Sequence, residues 1–435
     1  MALSKQPYKG TRDFFPKDKR QRDFIEEVMA TTAETFGYEP YDGPLLEEVE
    51  LYLAKSGEEL INEQIYSFMD RGDRKVAIRP EMTPTVARMV AQIHREVAKP
   101  IRWYAFPNFM RYERPQKGRL REFWQFNCDI FGAPGRTGEI EILQVAVELF
   151  ERFGANSSQF EILINDRKIV DTVFKELLLC NDEQAHKLYK IVDKAKKVAT
   201  DALKKMVDDT GISENAQKLF FQYINISSLD EIVAFLQNNQ KTEIAQEFAQ
   251  FVSEAKLAGL SEYLNFDASI VRGLDYYTGI VFEMFDKHPE NRRALCGGGA
   301  YHNLLQIFNE KPLPGVGFGL GDVTLTDFLT VHNLMPNFEI PMNDVLVTFQ
   351  DPNGFQSAMK IARLLRKNDF KVVTMLEETK MKKVFELADK KGCKNVVLIG
   401  SDEITSEKIQ IKNTQKREQK DFSITDIESI INFLK

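Results

Sequence analysis

Cysteine and histidine are scarce in this chain, which has four cysteines and five histidines in 435 residues. The cysteines are scattered without paired spacing, so neither a disulfide framework nor a zinc site is indicated. The histidines are isolated from one another, and we expect no metal ion bound by the protein alone. This composition is typical of a reducing compartment, and we expect a cytoplasmic location.

Long apolar stretches are also missing. No run approaches the ~20 residues that span a membrane, and the first residues lack the apolar segment of a secretory signal. The contents of 43% hydrophobic and 28% charged residues are ordinary for a soluble globular protein. We therefore expect a soluble protein of two or three domains with no membrane partner.

Charge is unevenly distributed along the chain. The whole chain has a net charge of −7, whereas residues 340–435 contain 17 basic and 14 acidic side chains, a balance of +3. A mildly basic tail permits contact with a polyanion, although solvated surface charge is the usual explanation.

The character of the sequence changes several times before this tail. A helical pattern begins at Pro16, and residues 76–132 are strand-like and rich in aromatic residues and arginines. Residues 167–263 show amphipathic helical patterns without proline, and strand-like sequence resumes at Ser269. We interpret residues 167–263 as a helical insertion that interrupts a domain formed by residues 1–330.

The tail has its own pattern. Two prolines mark residues 331–342 as a linker. In residues 343–435, short apolar runs such as DVLVTF, KVVTML and NVVLIG alternate with helical segments. This alternation predicts a small α/β domain with a largely parallel sheet.

The densest mixture of charged and aromatic residues is FMRYERPQKGRLREFWQFNCDIFG, residues 109–132. Its centre is turn-like, so we predict two strands that place Arg111 and Glu113 across from residues near Phe123 to Gln125. A concave sheet of this kind would bind phosphates through guanidinium groups and pack a heteroaromatic ring on Phe123. A ladder of salt bridges on a solvated hairpin explains the pattern equally well.

Three further segments have two possible explanations each. GVGFGLGD, residues 315–322, has glycine at every second position, which would let a ligand or another segment approach a strand, or let a helix pack tightly. Glu81 and Thr83 would suit an ammonium group or serve as ordinary capping residues. RGLDYYTGIVFE, residues 272–283, carries charged and phenolic groups on both faces of a predicted strand; alone, a structural Arg–Asp pair with core tyrosines would explain it.

Together these segments resemble the class II aminoacyl-tRNA synthetases. A strand ending near Pro44, the hairpin and the GVGFGLGD strand are similar to the three signature motifs of that class, and RGLDYYTG is similar to the peptide that marks histidyl-tRNA synthetases. GTRDFFP and CGGGAYHNLL match the same family, and the resemblance covers essentially the whole chain. It implies an α/β protein: an α+β catalytic domain with an antiparallel sheet, the helical insertion, and a C-terminal α/β domain similar to anticodon-binding domains.

The resemblance also implies an activity and partners. Histidine would be ligated to its cognate tRNA in two steps, through a histidyl-adenylate formed from ATP. Magnesium would arrive with the ATP rather than in a site built by the protein. Family members are dimers built across the first motif, and apolar Pro44, Leu45 and Leu46 are consistent with such an interface.

Individual roles follow from the same resemblance. Arg111 and Arg272 would hold the α-phosphate and the substrate carboxylate from two sides, because this reaction needs positioning and fixed positive charge. The other implied contacts are Glu113 and Phe123 with adenine; Glu81, Thr83 and Gln125 with the substrate ammonium; Asp129, Tyr276 and Tyr277 with the imidazole; and Arg114 and Gln116 with the tRNA acceptor end.

Two departures from the family pattern separate the remaining hypotheses. Ala300 and His302 stand where family members often have an arginine and an acid, and Thr324 stands where many have an arginine over the second face of adenine. The missing arginines slightly favour a catalytically silent histidine sensor or regulatory subunit as the alternative function. The complete C-terminal domain and the retained Arg111 and Asp129 favour an active ligase. Asp129 also argues against a relative that activates another amino acid.

Overall fold

The computed structural model describes residues 3–53, 63–195, 198–271, 277–291, 293–400, 403, 406 and 408–435. The chain divides into two compact units, one formed by Met1–Asp13 and Arg22–Met335 and the other by Phe14–Gln21 and Pro336–Lys435. In the part of the chain that is described, no helix combines the length and the apolar character needed to cross a bilayer.

The first unit contains twelve strands among the described residues. They are β1 (Glu39–Pro40), β2 (Leu46–Glu48), β3 (Tyr66–Met69), β4 (Lys75–Ile78), β5 (Ile101–Ala105), β6 (Asn108–Met110), β7 (Glu122–Phe131), β8 (Phe160–Asp166), β9 (Leu264–Phe266), β10 (Ile280–Asp286), β11 (Ala294–Ala300) and β12 (Gly315–Gly321). Nine of them form one sheet in the order β1-β5-β7-β12-β11-β10-β8-β9, with β6 paired to β7. Strands β2, β4 and β3 form a small antiparallel sheet, on which Leu46 is exposed.

The two faces of the large sheet differ in chemistry. Its central strands are antiparallel, and the register aligns Asp129, Gly317, Gly299 and Val281 across β7, β12, β11 and β10. Because side chains alternate along a strand, polar residues and glycines share this face, while neighbours such as Ile130 point into the core on the other side. The antiparallel pairing of the central strands confirms the antiparallel sheet predicted for this part of the chain.

Helices cover the apolar face and form most of residues 167–263. In chain order, the helices up to Val331 are α1 (Pro16–Thr35), α2 (Val49–Leu53), α3 (Thr83–Ile93), α4 (Thr137–Arg152), α5 (Arg167–Asp171), α6 (Asp182–Lys194), α7 (Thr200–Asp208), α8 (Glu214–Ile224), α9 (Leu229–Asn238), α10 (Thr242–Leu257) and α11 (Asp322–Val331). A π-helical turn, Thr172–Leu177, follows α5. Polar caps begin several of these helices: Asn181 forms a capping box with Gln184, and the Ser213 hydroxyl accepts from the Ala216 N–H.

The second unit is a five-stranded sheet with helices. Its elements are β13 (Asn343–Phe349), α12 (Gly354–Arg366), β14 (Val372–Thr374), α13 (Met381–Lys391), β15 (Cys393–Ile399), β16 (Lys408–Asn413), β17 (Glu418–Ser423) and α14 (Ile427–Leu434). The order is β14-β13-β15-β16-β17, parallel for the first three strands and antiparallel for the last two. Residues 14–21 pack in this unit, where the Arg20 guanidinium donates to the Phe338 carbonyl at 2.6 Å.

The 109–132 hairpin forms, but its predicted register is wrong. Phe109 pairs with Phe123, and the Arg111 N–H donates to the Arg121 carbonyl at 2.8 Å, so Arg111 lies opposite Arg121. In the turn, Gln116 pairs with Arg119. If this pairing continued along both strands, the register would be close to the predicted one. The Tyr112 N–H donates to the Gln64 carbonyl at 2.7 Å instead, and Pro115 has no N–H to continue a ladder, so residues 112–115 leave the pairing and the register shifts.

Candidate active site

A cleft with a volume of about 520 Å³ opens on the polar, glycine-bearing face of the large sheet. Strands β7, β11 and β12, the chain after β6 and the start of α3 line it. Eight residues singled out in the sequence line this cleft: Glu81, Thr83, Arg111, Glu113, Phe123, Gln125, Asp129 and Tyr277.

Strand β7 supplies one wall of the cleft. Phe123, Gln125, Asn127 and Asp129 all line it, because every second side chain of a strand lies on the same face. Sequence reasoning missed Asn127, although the same alternation would have included it. The Asn127 amide donates to the Gln125 carbonyl at 3.0 Å and is buried.

The alternating glycines of β12 make room for these side chains. A Cβ on Gly317 would overlap the Asp129 carboxylate and lie 2.7 Å from the Tyr301 hydroxyl oxygen. A Cβ on Gly319 would lie 2.7 Å from Cδ of Gln125. Of the two explanations left open, close approach by another segment is correct at these positions, and the segment is the neighbouring strand β7.

Asp129 is the most buried acidic group of the cleft. The Tyr301 hydroxyl donates to its Oδ1, and the Tyr41 hydroxyl lies close enough to act on the carboxylate electrostatically. Burial raises the pKa of Asp129 to about 7, although both hydroxyls oppose the rise. The carboxylate is therefore held in a site that favours its protonated form unless a cation or a strong donor arrives.

Arg111 lies against Phe123. Its guanidinium carbon is 5.3 Å from the centre of the Phe123 ring, and its Nε donates to the Pro80 carbonyl at 2.9 Å. These contacts hold the guanidinium group at the wall of the cleft.

Glu113 is buried and engaged by a neighbour. The Arg119 guanidinium donates through Nη2 to Glu113 Oε1 at 2.6 Å. This is one of the salt bridges that the alternative explanation of the hairpin required, so the hairpin both forms an ion pair and lines the cleft. A base that hydrogen-bonds to Glu113 would share this carboxylate with Arg119.

Glu81 and Thr83 lie at the start of α3. Thr83 is the first residue of the helix, and its N-cap is Met82, which makes no side-chain capping bond. Glu81 is buried and both residues line the cleft. An ordinary capping role therefore does not account for Thr83.

Four candidate residues are not among the described residues that line the cleft. Arg114 and Gln116 are exposed in the hairpin loop and do not line the cleft. Arg272 and Tyr276 lie outside the described residues.

Tyr301 and Arg293 are cleft residues that sequence reasoning missed. Tyr301 directly follows the glycine strand that had been singled out, but its partner Asp129 lies 172 residues away in the chain. Arg293 stands just before β11, among ordinary charged residues, and no local signal distinguishes it.

A second charged cluster occupies the opposite face of the sheet. The Arg136 guanidinium lies 2.7 Å from Asp166, 3.6 Å from Glu139 and 2.8 Å from Glu247. Ala300 is fully buried. Its strand partner is Val316, and both residues belong to the apolar core, so Ala300 lies on this face. The side chain at position 300 therefore points away from the cleft.

Comparisons with known proteins agree on one family. The profile described as histidyl-tRNA synthetase matches residues 10–323, and the profile described as anticodon binding domain matches residues 340–434. A histidine–tRNA ligase of Leptospira biflexa is 43% identical over 98% of this chain and 96% of its own length. The chloroplastic/mitochondrial histidine–tRNA ligase of Arabidopsis thaliana is 36% identical over 97% of this chain and 86% of its own length.

Solved structures share the fold. Histidyl-tRNA synthetase from Nostoc sp. PCC 7120 superposes with a TM-score of 0.81 at 23% identity, covering 99% of this chain and 100% of that one. A protein of Bacillus halodurans described as an ATP phosphoribosyltransferase regulatory subunit/histidyl-tRNA synthetase has a TM-score of 0.76 at 20% identity, over 92% of this chain and 100% of that one.

Proposed function

This chain belongs to the histidyl-tRNA synthetase family and charges tRNA with histidine, and we propose that its cleft does so through a histidyl-adenylate. The carboxylate of histidine attacks the α-phosphorus of ATP, pyrophosphate leaves, and the terminal ribose hydroxyl of tRNA then takes the histidyl group from AMP. The family match over residues 10–323 and the identity to curated ligases support this activity.

The observation that carries the proposal is the order of side chains along β7. Phe123 and Asp129 line the same cleft six positions apart, a span of roughly 20 Å on a strand. That span suits an amino acid and an adenosine joined through one phosphate. We assign Phe123 and Glu113 to the adenine and Asp129 to the imidazole.

The charge that develops in the first step needs fixed cations. Arg111 would hold the α-phosphate and the histidine carboxylate, and its contacts with Pro80 and Phe123 keep it oriented before the substrates arrive. Arg272 would reach the same groups from the other side. This arrangement accelerates the reaction by orientation and by stabilising negative charge on the phosphate oxygens.

The imidazole site uses a carboxylate and a phenol. A ring N–H would donate to Asp129, while Tyr277, with Tyr276, would satisfy the second nitrogen and line the pocket. The raised pKa of Asp129, about 7, fits a group that awaits a donor or cation. Glu81, Thr83 and Gln125 would bind the ammonium group of histidine.

Recognition of tRNA would involve two parts of the chain. Arg114 and Gln116, exposed on the hairpin loop, would contact the acceptor end. Residues 343–435 would bind the anticodon, and the profile match over residues 340–434 supports this assignment. The catalytic domain would then be residues 1–330 with the insertion at 167–263, followed by a linker at 331–342.

Magnesium, a dimer and a cytoplasmic location complete the proposal. Magnesium would enter on the ATP phosphates, since no group of three or more acidic, histidine or cysteine side chains in the described residues is arranged around a metal site. The exposed Leu45 and Leu46 support a homodimer across the small sheet. Four free cysteine thiols fit the reducing cytoplasm.

Pyrophosphate exchange tests the activity on the full chain. We expect histidine, and no other amino acid, to drive incorporation of labelled pyrophosphate into ATP, and we expect charging of the cognate tRNA. Arg111→Ala should lower the exchange rate by a factor on the order of 100 or more. Arg95→Ala is the control, because this exposed arginine pairs with Glu310 and does not line the cleft. Binding of histidine without any exchange would instead identify the silent sensor.

A further inference from the structure

We propose that Arg293 is an ATP-binding residue that places a guanidinium group on the adenine end of the cleft, a function that Thr324 cannot perform. The inference rests on the proposed function and extends it by one residue. Arg293 and Thr324 both line the cleft, and both also line an adjoining cavity of about 160 Å³.

The strand registers place Arg293 at the adenine end. Asp129, Gly317 and Gly299 are aligned at the imidazole end of the sheet, whereas Gln125 pairs with Gly321 toward the other end. Residue numbers on β11 decrease toward this second end, so Arg293, just before β11, lies toward the same end of the cleft as Phe123, and both residues line the cleft.

Local contacts fix Arg293 beside Thr324. Gly118 in the hairpin loop has φ +71°, and a Cβ built on it would lie 3.0 Å from Arg293 Cδ and 3.6 Å from Thr324 Cγ2. The Thr324 hydroxyl donates to the Leu295 carbonyl at 3.2 Å, which ties the start of α11 to the start of β11. Arg293 is only two residues before Leu295, so its backbone is held within reach of the position where the family's arginine is missing.

A guanidinium group at the position of Arg293 is suited to binding adenine. Arginine stacks its planar group on an aromatic base and retains its charge in a half-buried setting. With Phe123 on one side of the adenine, Arg293 would cover the other side. The base would then be held between a ring from β7 and a cation from the chain before β11.

The test measures nucleotide and amino acid separately in the full chain. Arg293→Ala should raise the KM for ATP in histidine-dependent exchange by roughly 3- to 30-fold, while the KM for histidine stays within twofold. Arg293→Lys should recover only part of the loss, because lysine keeps the charge but lacks the planar group. Lys117→Ala is the matched control. It removes a cation from the hairpin loop that contains Gly118, and Lys117 lines the adjoining cavity but not the cleft.

Rescue at the neighbouring position sharpens the test. Thr324→Arg added to Arg293→Ala should restore most of the ATP affinity, whereas Thr324→Arg alone should give no gain because two cations then crowd one base. An unchanged KM for ATP in Arg293→Ala, an equal rise for histidine, or no rescue in the double variant would overturn the inference. If Arg293→Ala fails to fold, the milder Arg293→Gln variant should show the same selective loss for ATP.

Failure of the inference remains distinguishable from failure of the proposed function. A wild-type chain without histidine-dependent exchange would refute the function itself. Equilibrium binding of ATP to wild type and to Arg293→Ala would still test the role of Arg293, since binding requires no turnover. Equal affinities in that measurement would overturn the inference whatever the exchange assay gives.

Discussion

Two buried acidic sites lie on opposite faces of the same sheet and are stabilised in different ways. On the core face, Asp166 has the Arg136 guanidinium 2.7 Å away, and Glu139 has it 3.6 Å away. On the cleft face, the hydrogen bond to the Asp129 carboxylate among the described residues comes from the Tyr301 hydroxyl. The first site has its cation built into the fold. The second presents to the cleft a carboxylate that has no ion pair with a cation among the described residues.

The two sites differ in what opposes the effect of burial on their carboxylates. Burial destabilises the ionised form of a carboxylate, and it raises the pKa of Asp129 to about 7. A perturbed carboxylate in a cleft is a candidate for ligand binding. Burial also raises the pKa of Glu139 to about 7, with Arg136 opposing the rise, so the core cluster depends on its arginine.

Removing that arginine should have the largest effect. Arg136→Met would leave two buried carboxylates without their cation, and we expect the free energy of unfolding to fall by roughly 3–5 kcal/mol. Arg152→Met is the control, because Arg152 pairs with Glu148 on an exposed helix surface and should change stability by less than about 1 kcal/mol. Denaturant unfolding of both variants measures the difference. Equal losses would show that the core cluster is no more important than a surface pair.

Neutralising Asp129 should change stability in the opposite direction. The pKa of Asp129 rises from 3.8 to about 7 on folding, so the folded state binds the proton more tightly and wild-type stability falls as pH rises from about 4 to 7. Asp129→Asn removes this loss, and we expect it to be more stable than wild type by roughly 2–4 kcal/mol at pH 8, with the gain disappearing toward pH 4.

The same variant should lose histidine affinity. An amide cannot offer the imidazole a charged acceptor, so we expect histidine binding to weaken by roughly 1–3 kcal/mol while the KM for ATP stays within twofold. Thermal and denaturant unfolding across pH, together with the two KM values, check both effects. Weaker binding of both substrates, or a variant less stable than wild type at pH 8, would contradict the assignment.

Filling the space beside Asp129 should have a smaller effect. The added Cβ of Gly317→Ala would overlap the carboxylate and come within 2.7 Å of the Cys128 carbonyl, and we expect a loss of roughly 1–3 kcal/mol in stability with weaker histidine binding. Gly321→Ala is the matched control for stability, since its Cβ would meet only Thr324 Oγ1, at 3.6 Å. Similar losses for both glycines would mean that strand conformation, rather than space for Asp129, requires glycine at 317.

Much of the cleft was predictable from local pattern and family resemblance. Strand alternation places Phe123, Gln125 and Asp129 on one face, whatever the rest of the chain does. The same rule explains why glycines at alternate positions of β12 can accommodate them. The predicted hairpin register was wrong because residues 112–115, which include Pro115, leave the pairing that the turn alone would have continued.

Which residues share a face and where helices and strands alternate could be predicted from the sequence, because these features depend on neighbours within a few positions. The family resemblance came from motifs spread along the whole chain. Only the tertiary structure decided which distant groups meet. The strand order β7-β12-β11 brings Tyr301 to Asp129 and Arg293 beside Thr324, and the helix-covered face brings Arg136 to Asp166. These contacts depend on the register of strands far apart in the chain, and periodicity within one strand fixes which side chains share a face but does not identify the distant residues that they meet.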